Sequence, residues 1–151
     1  IAREPIFENG AGSLKCSGCH ACPKIKETKS FKSFNTKRTY HIRKKLNCDS
    51  KSVIYLVQCL KCQGQYVGKS ETKFKMRHSN HKQEIRKNMG GLGEHFFNSE
   101  CTFENYSVTL IDGVKPGDKR GLKKREDFWM YQLRTFKANG GNGMNLKKEE
   151  I

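Results

Sequence analysis

Residues 53–59, VIYLVQC, and 64–70, GQYVGKS, are β-branched and aromatic stretches that read as the two strands of a hairpin joined by LKCQ. A two-residue turn would close such a hairpin, yet this connection is longer and is framed by Cys59 and Cys62. The next stretch, ETKFKMRHSNHKQEIRKN, has neither Pro nor Gly and is rich in helix formers, which predicts a helix from about Thr72 to Lys87. Arg77 and His81 are four apart on it and share a face. GGLGEHFFNSEC predicts a loop and short helix, and YSVTLID (106–112) a third strand. A last helix is expected from about Lys119 to Phe136, with Leu122, Trp129 and Leu133 on one apolar stripe. Glu126 lies on that same stripe. A carboxylate there is costly unless paired or bound to a cation, so Glu126 is either a functional group or half of a salt bridge to Arg77 or another base. The chain ends in NGGNGMNLKKEEI, a glycine-rich loop carrying Asn145, with no GxxxxGK[ST] or GxGxxG phosphate cradle.

The N-terminal third has a different texture. Residues 1–15 mix Pro, Gly and charge without periodicity and read as a linker. Residues 16–50 are basic, rich in Ser and Thr and poor in apolar side chains, so the segment needs a staple. The cysteines offer one. There are seven, and the spacings CSGCHAC and CLKC suit metal chelation better than a secreted disulfide framework. Zinc takes thiolate and imidazole ligands, and a CxxC pair supplies two from one turn. Cys16, Cys19, Cys22 and Cys48 form one candidate set, with His20 and His41 in reserve; the alternative is that some are free thiols. Cys59 and Cys62 form a zinc knuckle at the hairpin tip that His95 and Cys101 would complete. His81 competes for that place and ranks below His95, since its pairing with Arg77 suits another task. Residues 51–146 are then the core and 147–151 a charged tail.

The 151 residues, 34% of them hydrophobic, are enough for one domain with a modest core. Thirty Lys+Arg against 15 Asp+Glu give a formal charge of +15, a field that draws polyanions, with nucleic acid first among them. No run of 18 apolar residues or signal segment is present, so a soluble, intracellular protein with no membrane partner is expected. Ile1 in place of Met suggests a piece of a longer polypeptide.

VIY (53–55), YVG (66–68), Arg77 with His81 one turn on, Glu126 in a later helix and Asn145 near the end together resemble the GIY-YIG nuclease superfamily. The CxxC between the strand motifs, His95-Phe96, REDFWMYQLRTF and GMNL resemble more narrowly the endonuclease domain that follows the reverse transcriptase of Penelope-like retroelements. The resemblance covers roughly residues 16–146 and departs at Val53, where the family has glycine, and at Cys101, where a second histidine is usual. It implies an α+β fold with a small three-stranded antiparallel sheet flanked by helices. It also implies a DNA endonuclease, with double-stranded DNA as substrate, fused to a reverse transcriptase and its element RNA in the nucleus.

What the resemblance implies for chemistry can be set beside the residue types. Glu126 would hold one Mg²⁺ or Mn²⁺, a hard cation that prefers carboxylate oxygen, while zinc stays with the thiolates. Arg77 would grip the scissile phosphate through its planar fork. Tyr55 resembles the family's general base and would need its pKa lowered from about 10. His81 would relay a proton or bond Tyr55, Tyr66 would position water or phosphate, Lys69 would add charge, and Asn145 would orient Glu126 or a phosphate. Cleavage of this type leaves a 3′-hydroxyl able to prime reverse transcription. Two other readings are open: a zinc-stabilised nucleic-acid-binding module without catalysis, and a repair or recombination nuclease with the same core.

Overall fold

The computed structural model describes residues 10–97, 100–136 and 143–145. Among the described residues, seven short strands and three α-helices follow one another: β1 (Gly12–Ser13), β2 (Ser30–Lys32), β3 (Thr39–His41), β4 (Lys45–Leu46), β5 (Val53–Cys59), β6 (Gln65–Ser70), α1 (Phe74–Arg86), α2 (Gly90–Phe97), β7 (Tyr106–Gly113) and α3 (Lys119–Leu133). The central sheet has the order β6-β5-β7 and is antiparallel throughout. Strand β5 lies in the middle, and Val53 to Val57 are all 2% exposed or less, as their apolar run requires of a strand covered on both faces.

Helix α1 covers the face carrying Tyr55, whose ring meets Phe74 edge-on at 5.1 Å. Helix α3 is capped by Asp118, which accepts from the Gly121 amide at 2.9 Å. It is fastened to β7 through buried Asp112. One carboxylate oxygen there accepts from Trp129 Nε1 at 2.8 Å and Arg125 Nε at 2.7 Å. Trp129 in turn meets Phe31 and Tyr40 edge-on, each at 5.2 Å, tying the β2–β3 hairpin to the same helix. Between Ile54 and Tyr55 the pairing with β7 slips by one residue, Ile54 facing Asp112 and Tyr55 facing Leu110, so that Ile111 is a bulge on β7 opposite Tyr55.

The hairpin and third strand stand where alternation predicts them, and both long helices are present with altered ends. Helix α1 starts at Phe74 after Lys73, and α3 stops at Leu133 because Arg134 takes the left-handed conformation, φ 55°. Phe136 then pairs with Asn145 as an isolated bridge, not as helix.

A linker is expected over residues 1–15, of which residues 10–15 are described and Gly12–Ser13 form a strand. Gly12–Ser13 pair in parallel with β4, and Ser13 is fully buried. The 16–50 segment does not stand apart on a core of its own. Its Ile25, Phe31, Ile42 and Leu46 join one hydrophobic cluster with the sheet. The expected tail 147–151 lies outside the described residues. Among the described residues no helix is long and apolar enough to cross a membrane.

Candidate functional site

Strand β6, helix α1 and helix α3 converge on an open cleft of about 350 Å³ lined by Tyr66, Lys69, Arg77, Asn80 and Glu126, among others. Each arrives by a different local rule. Tyr66 and Lys69 stand on the hairpin's second strand. Arg77 sits in the first turns of α1. Glu126 lies on the stripe of α3 that Leu122, Trp129 and Leu133 bury, and is itself held to 13% exposure. Its ion pair is with Lys123, 3.5 Å away and one turn earlier, and not with Arg77. Arg77 pairs instead with Glu84, at 3.9 Å.

Behind the cleft, Tyr55 is fully buried and its hydroxyl is hydrogen-bonded to His81 Nε2. The other ring nitrogen, Nδ1, meets Glu84 Oε1 at 3.0 Å. The Arg77 guanidinium lies close enough to act electrostatically on both the Tyr55 and Tyr66 hydroxyls. Its Nε is buried with no hydrogen-bond partner among the described residues, a cost that an incoming acceptor would remove. The cross-strand neighbour of Tyr55 is Gly68 of the YVG triplet, and a Cβ there would come within 2.7 Å of Tyr55 Cε1. Glycine at 68 is what leaves room for the ring.

Protonation follows from this burial. Burial pushes the Tyr55 hydroxyl well above its ordinary value, with Tyr66 adding to it and Arg77 only partly opposing. Tyr66 is pushed up to about 12, chiefly by burial, against the pull of Arg77. His81 is brought down by burial although Glu84 pulls it up, so the ring is neutral at pH 7. Glu84 is lowered, first by its bond to His81, and is a carboxylate. Of this group sequence reasoning missed Glu84, which stands three residues after His81 at a spacing that places both on one helical face.

Asn145 is elsewhere. Its amide oxygen accepts from Val67 N at 2.8 Å and Thr135 Oγ1 at 2.7 Å, while its amide nitrogen donates to Val67 O at 2.9 Å. It fastens the outer edge of β6 to the residues after α3, and the cleft lining does not include it.

Two groups of side chains could hold a metal ion. The ligand atoms of Cys16, Cys19, Cys22 and Cys48 all lie within 4.8 Å of one another, as do those of Cys59, Cys62, His95 and Cys101. In the first set the Cys16–Cys22, Cys19–Cys22 and Cys22–Cys48 sulfurs are 3.5, 3.8 and 3.8 Å apart. Tetrahedral zinc with bonds of about 2.3 Å sets its thiolates about 3.8 Å apart, so the donors fit. Burial opposes ionisation of Cys22, yet the Cys19 amide and neighbouring thiols bring it down to about 6. In the second set Cys62 Sγ stands 3.3 Å from His95 Nε2, whereas His81 is engaged by Tyr55 and Glu84. His20 lies against His78 and Ser79, and neither it nor His41 belongs to the first cluster.

No family model matches the chain, and no curated protein matches it. Among solved structures, the catalytic domain of the homing endonuclease I-TevI aligns with 65% of this chain and all of that domain, at 23% identity and a TM-score of 0.53. A mutant form, described as the catalytic domain of the intron endonuclease I-TevI, aligns with 62% of this chain and 93% of its own, at 24% identity and a TM-score of 0.50. The chain therefore has the fold of that catalytic domain, the GIY-YIG fold.

Proposed function

We propose that this chain is a divalent-metal-dependent DNA endonuclease domain of the GIY-YIG type. The observation that carries the reading is the meeting of Tyr66, Lys69, Arg77 and Glu126 from three separate elements in one open cleft. Phosphodiester hydrolysis needs an activated water and positive charge on the developing phosphorane. Arg77 supplies a planar fork for the phosphate and Lys69 a point charge. A binding module has no use for Glu126 there, since a carboxylate facing the cleft, even with Lys123 3.5 Å away, works against phosphate binding. The same carboxylate suits a hard cation that takes one or two protein oxygens and fills its remaining positions with water and phosphate. Such an ion, when bound, would lower the pKa of its water and offset charge on the phosphate. The I-TevI structures, being those of an endonuclease, support the same reading.

The finer assignment is to the endonuclease of a Penelope-like retroelement. There it would nick double-stranded target DNA in the nucleus, leaving a 3′-hydroxyl for a fused reverse transcriptase to extend on the element RNA. The cysteines framing the hairpin loop, with His95 and Cys101 beside them, support it, as does the upstream four-cysteine cluster. Zinc in both sets would brace the hairpin tip and the N-terminal segment, leaving the cleft to Mg²⁺ or Mn²⁺.

The test is plasmid nicking in Mg²⁺ at low salt, comparing the parent with Glu126→Ala at equal zinc content. Conversion of supercoiled to open-circular DNA by the parent alone is expected. Cleavage by neither, with DNA binding intact, would replace the nuclease with a non-catalytic nucleic-acid-binding module.

A further inference from the structure

We propose that Glu84 is a positioning residue for proton transfer, the far end of a buried Tyr55–His81–Glu84 relay in which the imidazole takes the tyrosine's proton as the attacking water is deprotonated. The relay rests on the hydrolytic reading above. Two hydrogen bonds carry it: the Tyr55 hydroxyl to His81 Nε2, and His81 Nδ1 to Glu84 Oε1 at 3.0 Å. Both rings are fully buried, while Glu84 is one-third exposed. A carboxylate can only accept, so Nδ1 carries the ring's proton and Nε2 offers its lone pair to the hydroxyl. One tautomer satisfies both bonds.

The alternative, a free tyrosinate at Tyr55, is opposed by its burial, and Arg77 does not overcome this. A proton that leaves Tyr55 therefore needs an acceptor at hydrogen-bond distance, and His81 is the neutral base there. Arg77 lines the cleft in front of the buried Tyr55 and its charge acts on that hydroxyl, so the step requires the fork to swing onto a phosphate and admit the attacking water. In the step, the water oxygen bonds to phosphorus and its proton passes to the Tyr55 oxygen. The Tyr55 proton passes to His81 Nε2, and the bond from phosphorus to the 3′ oxygen breaks. That oxygen takes a proton from solvent water, and the imidazolium, held meanwhile by Glu84, returns its own to solvent. Tyr55 and Glu84 end as they began.

The groups facing the relay are Tyr66 on β6, Tyr106 on β7, and Arg77 and His78 on α1, with Glu126 of α3 acting on Tyr66. None but Glu84 offers His81 a negative charge at hydrogen-bond distance.

The experiment compares the zinc-loaded parent with Glu84→Gln and Glu84→Asp for nicking of a labelled duplex from pH 5 to 9. Glu84→Gln keeps a hydrogen-bond acceptor and removes the charge that stabilises the imidazolium. The expected result is a loss of about a hundredfold in kcat with KM little changed, an acid limb moved to lower pH, and partial rescue by Glu84→Asp. A Glu84→Gln variant that keeps the parent's kcat and pH profile overturns the relay alone. A parent that nicks nothing in Mg²⁺ or Mn²⁺ overturns the hydrolytic reading beneath it. Histidine ¹⁵N NMR on the parent gives a readout that does not depend on any variant folding. Protonation of His81 on Nδ1 at pH 7 is expected, and protonation on Nε2 overturns the relay.

Discussion

Gly68→Ala would test whether the second strand motif exists to seat Tyr55. Gly68 is the direct cross-strand partner of Tyr55, and an added Cβ would overlap the tyrosine hydroxyl and stand 2.7 Å from Cε1. Carbon atoms in ordinary contact sit about 3.5–4.0 Å apart, so the ring must retreat by about 1 Å. It has nowhere to go. Tyr55 is fully buried, with the Phe74 ring centroid 5.1 Å and the His81 centroid 5.4 Å away. Overpacking of this kind costs about 1–3 kcal/mol, and the enclosed site puts it near the middle or above, about 2 kcal/mol. For a domain of this size that lowers Tm by about 4–8 °C. Displacing the hydroxyl from His81 by the same distance would slow cleavage by about a hundredfold. Thermal unfolding at fixed zinc concentration and plasmid nicking read the two effects separately. In a Tyr55→Phe background the stability cost of Gly68→Ala should shrink, because the hydroxyl is the atom met first. A Gly68→Ala protein within 0.5 kcal/mol of the parent that nicks at the parental rate would refute the reasoning.

Three further outcomes are expected. Ser13→Ala removes the hydroxyl that accepts from the Leu110 amide at 3.0 Å and leaves a buried donor unpaired, which should cost about 1–3 kcal/mol in urea unfolding; no change would remove Ser13 from the account. The purified protein should hold two zinc ions by elemental analysis and Cys48→Ser one, with chelation lowering Tm; a metal-free protein unaffected by chelator would refute both sites. His78 is brought down to about 4, first by burial and then by His20 and Lys82, while its unfolded value is near 6.5. Below pH 6.5 the unfolded chain therefore binds a proton that the folded one refuses until about pH 4, so stability falls with pH, by about 2 kcal/mol between pH 7 and 5. His78→Phe should flatten that fall, and an equal slope in the variant would place the proton uptake elsewhere.

Period and composition found the sheet because β5, β6 and β7 are long enough to show them, six to eight residues of β-branched and aromatic character. The N-terminal strands are two or three residues each, too short for any period, and their pairing rests on contacts far along the chain. The apolar stripe on α3 was legible, but the carboxylate that fixes Trp129 was not, since Asp112 lies seventeen residues earlier on another element. Motif order likewise brought Tyr55, Tyr66, Arg77, His81, Glu126 and Asn145 under notice, and of these the structure has Tyr66, Arg77 and Glu126 around one cleft, with Lys69 beside them. It could not tell that Asn145 spends its amide on the backbone of Val67, because that depends on which edge of β6 the chain returns to.

The stretch that reads as a linker is tied to the chemistry through the bulge. The extra residue of the bulge, Ile111, lies on β7 beside Leu110, the residue opposite Tyr55, so the bulged strand is the one that backs Tyr55. On the outer edge of β7 the Leu110 amide is met by the Ser13 hydroxyl from β1. Ser13 is in turn held by β4, through the Gly12 and Leu14 amides, and by Thr28. Residues 45–48 lead directly from β4 to Cys48, whose thiol closes the four-cysteine set with Cys22. The cysteine cluster is thus connected by backbone and hydrogen bonds to the residue opposite Tyr55. A metal there would do more than staple a polar segment: it would stiffen the support behind the bulged strand that backs Tyr55.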